Sequence, residues 1–161
     1  MDRLDIRILE ALQQDGALTQ AQLAERVGSS PSTSLRRAQR LKKSGHLDRC
    51  VYLADARKLE RGLRAIITVA MRSPGRKTMD AFARKIDKEP AIDLAYGTTG
   101  EGDAVLLANF IDMEEYRALC DRLLDDNPHV VRYTTLFAVD RYKECSAVPT
   151  DALMAKLLQE S

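Results

Sequence analysis

The chain has 161 residues, 45% hydrophobic and 30% charged, with no Trp and five Pro; this is room for about one average domain or two small ones, and it excludes low-complexity disorder and a collagen-like repeat. A net charge of +1, from 25 basic and 24 acidic residues, argues against a protein that coats polyanions along its whole surface. The most apolar stretch, Ala65 to Met71, falls far short of the roughly 20 residues of a membrane span, and Met1-Asp2-Arg3 leads straight into an amphipathic pattern without a signal-type apolar region, so a cytoplasmic protein with no membrane contact is expected.

Leu4, Ile8, Ala11 and Leu12 recur at helical spacing and Asp15-Gly16 supplies a stop, which predicts a first amphipathic helix. Thr19-Gln20-Ala21-Gln22 reads as a capping box opening a short second helix with Leu23, Ala24 and Val27, and Gly28 suits the left-handed position after its end. Ser30-Pro31 then gives an N-cap followed by proline at the first helical position, so a third helix is expected from Pro31 to Ser44, closed by Gly45. A short helix, a three-residue turn containing glycine and a longer helix make the helix-turn-helix pattern. At about 100° per residue, Pro31, Ser34, Leu35, Ala38 and Leu41 fall on one side of the third helix, and Thr33, Arg36, Arg37, Arg40 and Lys43 on the other. The positive charge is concentrated here: between Thr33 and Arg49 the basic residues Arg36, Arg37, Arg40, Lys42, Lys43 and Arg49 face only Asp48.

Leu47 to Leu53 reads as strand-like, and Asp55 to Arg61 as a short linking helix or turn. From about Gly62 the predicted order is a buried strand (Ala65 to Met71), an amphipathic helix (Lys77 to Lys88), and two strands (Ile92 to Thr99 and Ala104 to Ile111) around a Gly100-Glu101-Gly102-Asp103 turn. A helix (Met113 to Asp125), a long strand (Val130 to Tyr142) and a terminal helix (Asp151 to Leu158) follow. The fold class is therefore α+β: a helix-turn-helix domain over residues 1–46, a linker or hinge strand over 47–61, and a βαββαβ ferredoxin-like sandwich over 62–161. The helices of the sandwich would cover one face of its sheet. The other face, with strands as apolar as Val69, Leu94, Ala95, Leu106, Leu107 and Phe137 make them, calls for a cover, and a second subunit is the economical one.

A basic helix face is ordinarily a solvated surface. On the second helix of a helix-turn-helix it has another use, because residues near that helix's N-terminus reach base edges and basic ones hold phosphates. Ser32, Thr33 and Arg36 are the expected base contacts; Arg37, Arg40 and Lys43 are the expected phosphate contacts. Gly97, Gly100 and Gly102 do not form a dinucleotide fingerprint, since a strand rather than a helix follows them. On composition alone they are equally well a hairpin turn or a ligand loop.

Leu4-Asp5, Ile8-Leu9, Leu23-Ala24, Arg36-Arg37, Leu41 and Ser44-Gly45, followed by Thr99-Gly100-Glu101-Gly102-Asp103 and Thr134-Thr135-Leu136-Phe137, resemble in order and spacing the Lrp/AsnC, or leucine-responsive, family of regulators. The resemblance spans nearly the whole chain, and it implies a bracing role between helices as the alternative to phosphate contact for Arg37. It implies a DNA-binding domain joined to an effector-binding RAM domain, assembled as homodimers and often octamers, regulating transcription in response to amino acids. It also tips the glycine turn toward effector binding: Gly100 and Gly102 would expose backbone amides to a ligand carboxylate, Asp103 would face its ammonium, and Thr135 would add a polar contact. Ser29, His46-Leu47, Arg49-Cys50 and the glycine at Gly102 depart from the family's usual residues.

Cys50, Cys120 and Cys145 are far apart and lack CxxC spacing, so neither a disulfide framework nor a zinc site is expected. His46 and His129 lie far from any cysteine pair or candidate nucleophile, and no catalytic residues, metal site or cofactor are expected. The reading is a sequence-specific regulator binding a pseudo-palindromic site in double-stranded DNA and responding to an amino acid. A regulatory subunit of an amino-acid-metabolic enzyme is the alternative from another class, since the βαββαβ fold hosts both; a helix-turn-helix used only for protein contacts is a third.

Overall fold

A computed structural model describes residues Met1–Gln159, which divide into two compact units: Met1–Leu53 together with the chain from Lys143 onward, and Ala54–Tyr142.

In the first unit, α1 (Arg3–Gln14), α2 (Gln20–Val27) and α3 (Pro31–Lys43) form as their caps dictate. The Asp2 carboxylate caps α1 and is answered by Asp5, Thr19 and Gln22 make the expected reciprocal box at α2, and the Ser30 hydroxyl accepts from the Thr33 amide with Pro31 in the first turn of α3. Gly28 ends α2 at φ +66°, a conformation that penalises any Cβ. Ile8, Leu9 and Ala11 of α1, Leu23 and Val27 of α2, and Ala38 and Leu41 of α3 close a common core. Three positions on α3 depart from the helical-wheel expectation: Pro31 is exposed, and Thr33 and Arg37, placed on the cationic side, are half-buried.

The last helix, α6 (Asp151–Gln159), was expected to end the sandwich, yet the chain from Lys143 belongs to the first unit. Its approach is held by α1, where Gln13 donates from Nε2 to the Val148 carbonyl and accepts from the Val148 amide at 2.7 Å, and the Thr150 hydroxyl donates to Glu10. Residues 47–53 form no strand. Val51, Tyr52 and Leu53 are exposed, without the paired ladder that would make an extended segment a strand.

The second unit contains β1 (Leu63–Met71), α4 (Arg76–Ile86), β2 (Ile92–Gly97), β3 (Ala104–Phe110), α5 (Met113–Leu119, running on as a π-helical turn over Cys120–Asp125) and β4 (Val130–Phe137), preceded by a 3-10 turn at Ala56–Leu59. The strands form one antiparallel sheet in the order β2-β3-β1-β4, the ferredoxin-like arrangement. β4 stops at Phe137, short of the expected Tyr142. Alternation fixes the register: Ala65, Ile67, Val69 and Met71 of β1 point inward with Leu106, Ala108 and Phe110 of β3, against Phe82 of α4 and Leu119, Cys120, Leu123 and Leu124 of the α5 segment. The opposite face carries no helices. Across it runs the row Leu94, Leu107, Ile66 and Leu136, one residue from each strand, with Leu94 45% and Leu136 61% exposed.

Candidate nucleic-acid interface and ligand-binding turn

The three-residue turn Gly28–Ser30 sets α3 against α2, burying Ser34, Ala38 and Leu41 and turning Ser32, Arg36, Arg40 and Lys43 to solvent. Thr33 is half-buried, and its amide and hydroxyl both accept or donate within the N-cap: Ser30 Oγ donates to Thr33 Oγ1 at 2.9 Å and accepts from the Thr33 amide. Of the residues expected to meet DNA, five therefore present side-chain surface along α3, while Arg37 turns back to α1.

The cause is a buried acid. Asp5 has a side chain only 1% exposed, and a carboxylate taken from water requires charged or hydrogen-bonding partners. Arg37 Nη1 reaches Asp5 Oδ1 at 3.0 Å and Asp2 Oδ2 at 2.5 Å, and Arg40 Nη2 reaches Asp5 Oδ2 at 2.6 Å. Burial pushes the Asp5 carboxyl up, but the Asp2 amide and the Arg37 guanidinium outweigh it and hold the group below the usual carboxylate range. The hydrogen bond from Arg37 holds Asp2 low as well, against a partial desolvation. Arg37 is thus the brace between α1 and α3 that the sequence left as the alternative, and Arg40, with a side chain 54% exposed, is shared between Asp5 and solvent. The signal was present in the sequence as Asp2 and Asp5 in the first turn of a helix, but a capping box accounts for both acids without any arginine.

In the second unit the Gly100–Asp103 turn joins β2 to β3. Both glycines have local structural reasons: Gly100 sits at φ +112°, and a Cβ on Gly102 would lie 2.9 Å from Thr68 Cγ2. Asp103 is committed in part to the backbone, since its Oδ2 accepts from the Met71 amide at 2.7 Å where the β1–β4 register shifts, and its own amide donates to Val69. Thr135 does not join this turn. It pairs opposite Ile67, whose side chain lies under the helices, and its Oγ1 accepts from the Tyr116 hydroxyl at 2.9 Å, whereas Thr68, the neighbour of Gly102, lies on the opposite face. The last strand was expected to bring Thr135 to the ligand; period-two alternation puts it on the face covered by the helices, beside Tyr116 rather than beside Thr68 and Gly102.

An open cavity of about 370 Å³ between α4 and β2 was missed by the sequence reading. Phe82, Ile86, Leu94 and Tyr96 line it, and Gly97 and Ala104, the pair that closes the hairpin beside the glycine turn, form one end. Among the described residues no group of three or more His, Cys, Asp or Glu side chains is placed to hold a metal, and no helix is long and apolar enough to cross a membrane.

A winged helix-turn-helix DNA-binding family matches residues 1–45, and the Lrp/AsnC ligand binding domain matches residues 64–148. The chain belongs to the Lrp/AsnC family. The regulator is 30% identical to an uncharacterized HTH-type transcriptional regulator of Sinorhizobium fredii over 94% of its own length and 89% of that protein. It is 27% identical to the leucine-responsive regulatory protein of Escherichia coli over 89% and 88% of the two chains. Among solved structures, a transcriptional regulator from Neisseria meningitidis in complex with L-Met superimposes with a TM-score of 0.90 at 31% identity, covering 95% of this chain and 99% of that one. Family and relatives are DNA-binding transcriptional regulators rather than enzymes, which removes the enzyme-subunit alternative.

Proposed function

We propose that this regulator works in the cytoplasm as a homodimer, with octamers as a further assembly, that it binds a pseudo-palindromic operator through α3, and that an amino acid bound beside the Gly100–Asp103 turn modulates that binding. The observation that carries the DNA reading is the solvent-facing stripe of Ser32, Arg36, Arg40 and Lys43 on the second helix of the helix-turn-helix. Ser32, Thr33 and Arg36, near the N-terminus of α3, are the base readers; Arg40 and Lys43 hold phosphates, with Arg37 behind them as the brace. The uncovered row Leu94, Leu107, Ile66 and Leu136 supports the dimer, and a dimer presents two recognition helices to half-sites about one helical turn, or a multiple of it, apart.

For the effector, the cavity that ends at Gly97 and Ala104 lies at the base of the glycine turn, and the Neisseria relative was solved with L-Met bound, which makes methionine the first probe. The amides of the turn would face the ligand carboxylate. Asp103 Oδ2 holds the Met71 amide, leaving Oδ1 for an ammonium.

The DNA reading is tested on an operator selected from a pool of random duplexes. Arg36→Ala should lower operator affinity by a factor corresponding to about 1–3 kcal/mol and relax base preference at its position; an equal loss on operator and random duplex would remove Arg36 from the base readers. For the effector, a thermal-shift series with amino acids should show stabilisation of about 2.7 kcal/mol at a hundredfold excess over Kd. Asp103→Asn retains an acceptor for Met71 and loses the charge, so it should abolish this shift. An undiminished shift would confine Asp103 to its backbone role.

A further inference from the structure

Asp2 and Asp5 on α1 and Arg37 and Arg40 on α3 form a compact group of two acids and two bases. Their charges cancel. The members differ in what they leave exposed: the Asp5 side chain is 1% exposed and that of Arg37 20%, with Arg37 Nε buried and lacking a partner, whereas that of Arg40 is 54% exposed. Arg37 is spent on the two acids of α1 and its cap. Arg40 gives one terminal nitrogen to Asp5 at 2.6 Å and leaves more than half of its side chain open to solvent, on the helix that meets DNA in the proposed function.

Two physical effects follow from a carboxylate in that position. A fixed negative charge beside Arg40 weakens the long-range attraction of this end of α3 for any polyanion, which lowers affinity for DNA of every sequence. The same carboxylate pins one edge of the fork, so that Arg40 loses less side-chain freedom when its other edge meets a phosphate at a defined place, and that gain exists only where the protein is docked in register. The first effect acts on random and cognate DNA alike; the second acts on the cognate complex alone.

We propose that Asp5 is a specificity-determining residue for DNA binding, acting through Arg40 as a positioning group: it suppresses sequence-independent attraction and orients one phosphate contact of the cognate complex. This rests on the reading of Arg40 as a phosphate contact. Asp5 touches no DNA in this scheme, and the first turn of α1 becomes part of the reading unit.

The test uses the full chain, a selected operator and a random duplex of equal length, with affinity measured over a series of salt concentrations and circular dichroism confirming helix content. Asp5→Asn should narrow the ratio of operator to random affinity by threefold or more and steepen the salt dependence on random duplex. Arg40→Ala should reduce the salt slope by about 0.9, the value for one phosphate, and Asp5→Asn added to it should change the affinity ratio no further. If Asp5→Asn lowers operator and random affinity by the same factor in both backgrounds, Asp5 is only structural and the proposal is overturned. An unchanged slope in Arg40→Ala refutes the phosphate contact itself, a separate failure that removes the basis of the proposal. Should Asp5→Asn fail to fold, Arg40→Lys carries the test: it keeps the charge but not the fork, so the slope should persist while operator affinity falls at least threefold, and wild-type operator affinity in that variant would overturn the proposal.

Discussion

Replacing Leu136 by Asp tests whether the uncovered face of the sheet is an interface between subunits. Leu136 is 61% exposed at the end of the row that crosses all four strands. Burying a whole leucine side chain is worth about 1.5–3 kcal/mol, so covering the exposed three-fifths contributes roughly 1–2 kcal/mol per chain. In a two-fold dimer the same patch is counted on both subunits, and losing it removes roughly 2–4 kcal/mol, raising the dissociation constant by about 30-fold to nearly 1,000-fold. The introduced carboxylates would also have to be desolvated in the interface, which places the effect at the upper end. Sedimentation velocity over a concentration series reads the change directly. Because the side chain contacts water in the isolated subunit, the thermal stability of the monomer should move by no more than about 0.5 kcal/mol. A variant that dimerises with the wild-type constant would refute the assignment of this face.

Gly102→Ala brings a Cβ to 2.9 Å from Thr68 Cγ2 and should lower stability by about 1–3 kcal/mol in thermal unfolding; Thr68→Ser, which removes that methyl, should recover most of the loss. Thr135→Val deprives the Tyr116 hydroxyl of its acceptor and should destabilise the fold by about 1–3 kcal/mol while leaving an effector-induced thermal shift intact, since Thr135 lies on β4, at the opposite edge of the sheet from β2 and its cavity. Asp2 and Asp5 both have depressed carboxyl pKa values, so the stability they contribute is fully present above the unfolded-state value near about 4 and is lost as pH falls through the folded-state values. A melting series from pH 7 downward should show the decline in that acid range, and Asp2→Asn should flatten it; a variant curve parallel to wild type would detach these acids from the acid response.

The order of elements was legible because its signals are local. Thr19 with Gln22, Ser30 with Pro31, and the glycine after α2 each specify a helix end through groups only a few residues apart, and the alternation in β1 specifies its buried face. What escaped depended on partners distant in sequence. The inward turn of Arg37 required knowing that Asp5 would be buried 32 residues earlier in the chain. The return of α6 to α1 joins residues 135 apart, a pairing that amphipathic spacing in α6 cannot encode. The strand-like composition of Val51-Tyr52-Leu53 states a propensity, and without a neighbouring ladder propensity alone makes no strand. At the Gly100–Asp103 turn the hairpin was legible from its glycines, whereas the surroundings of Thr135 turned on parity: one position along β4 decides which side of the sheet a side chain meets.

The attachment of the C-terminal segment to α1 makes the DNA-binding unit a split module, begun before the sheet in sequence and completed after it. On the ribosome α1, α2 and α3 emerge before the sheet, but the partners of Gln13 and Glu10 arrive only after the entire sheet has been synthesised. Completion of the DNA-binding unit therefore certifies that the ligand-binding unit has been made. A chain stopped at Tyr142 would carry every strand of the sheet and yet an unfinished DNA-binding unit, so a nonsense change just beyond the sheet registers at α1, on the other side of the sheet in sequence.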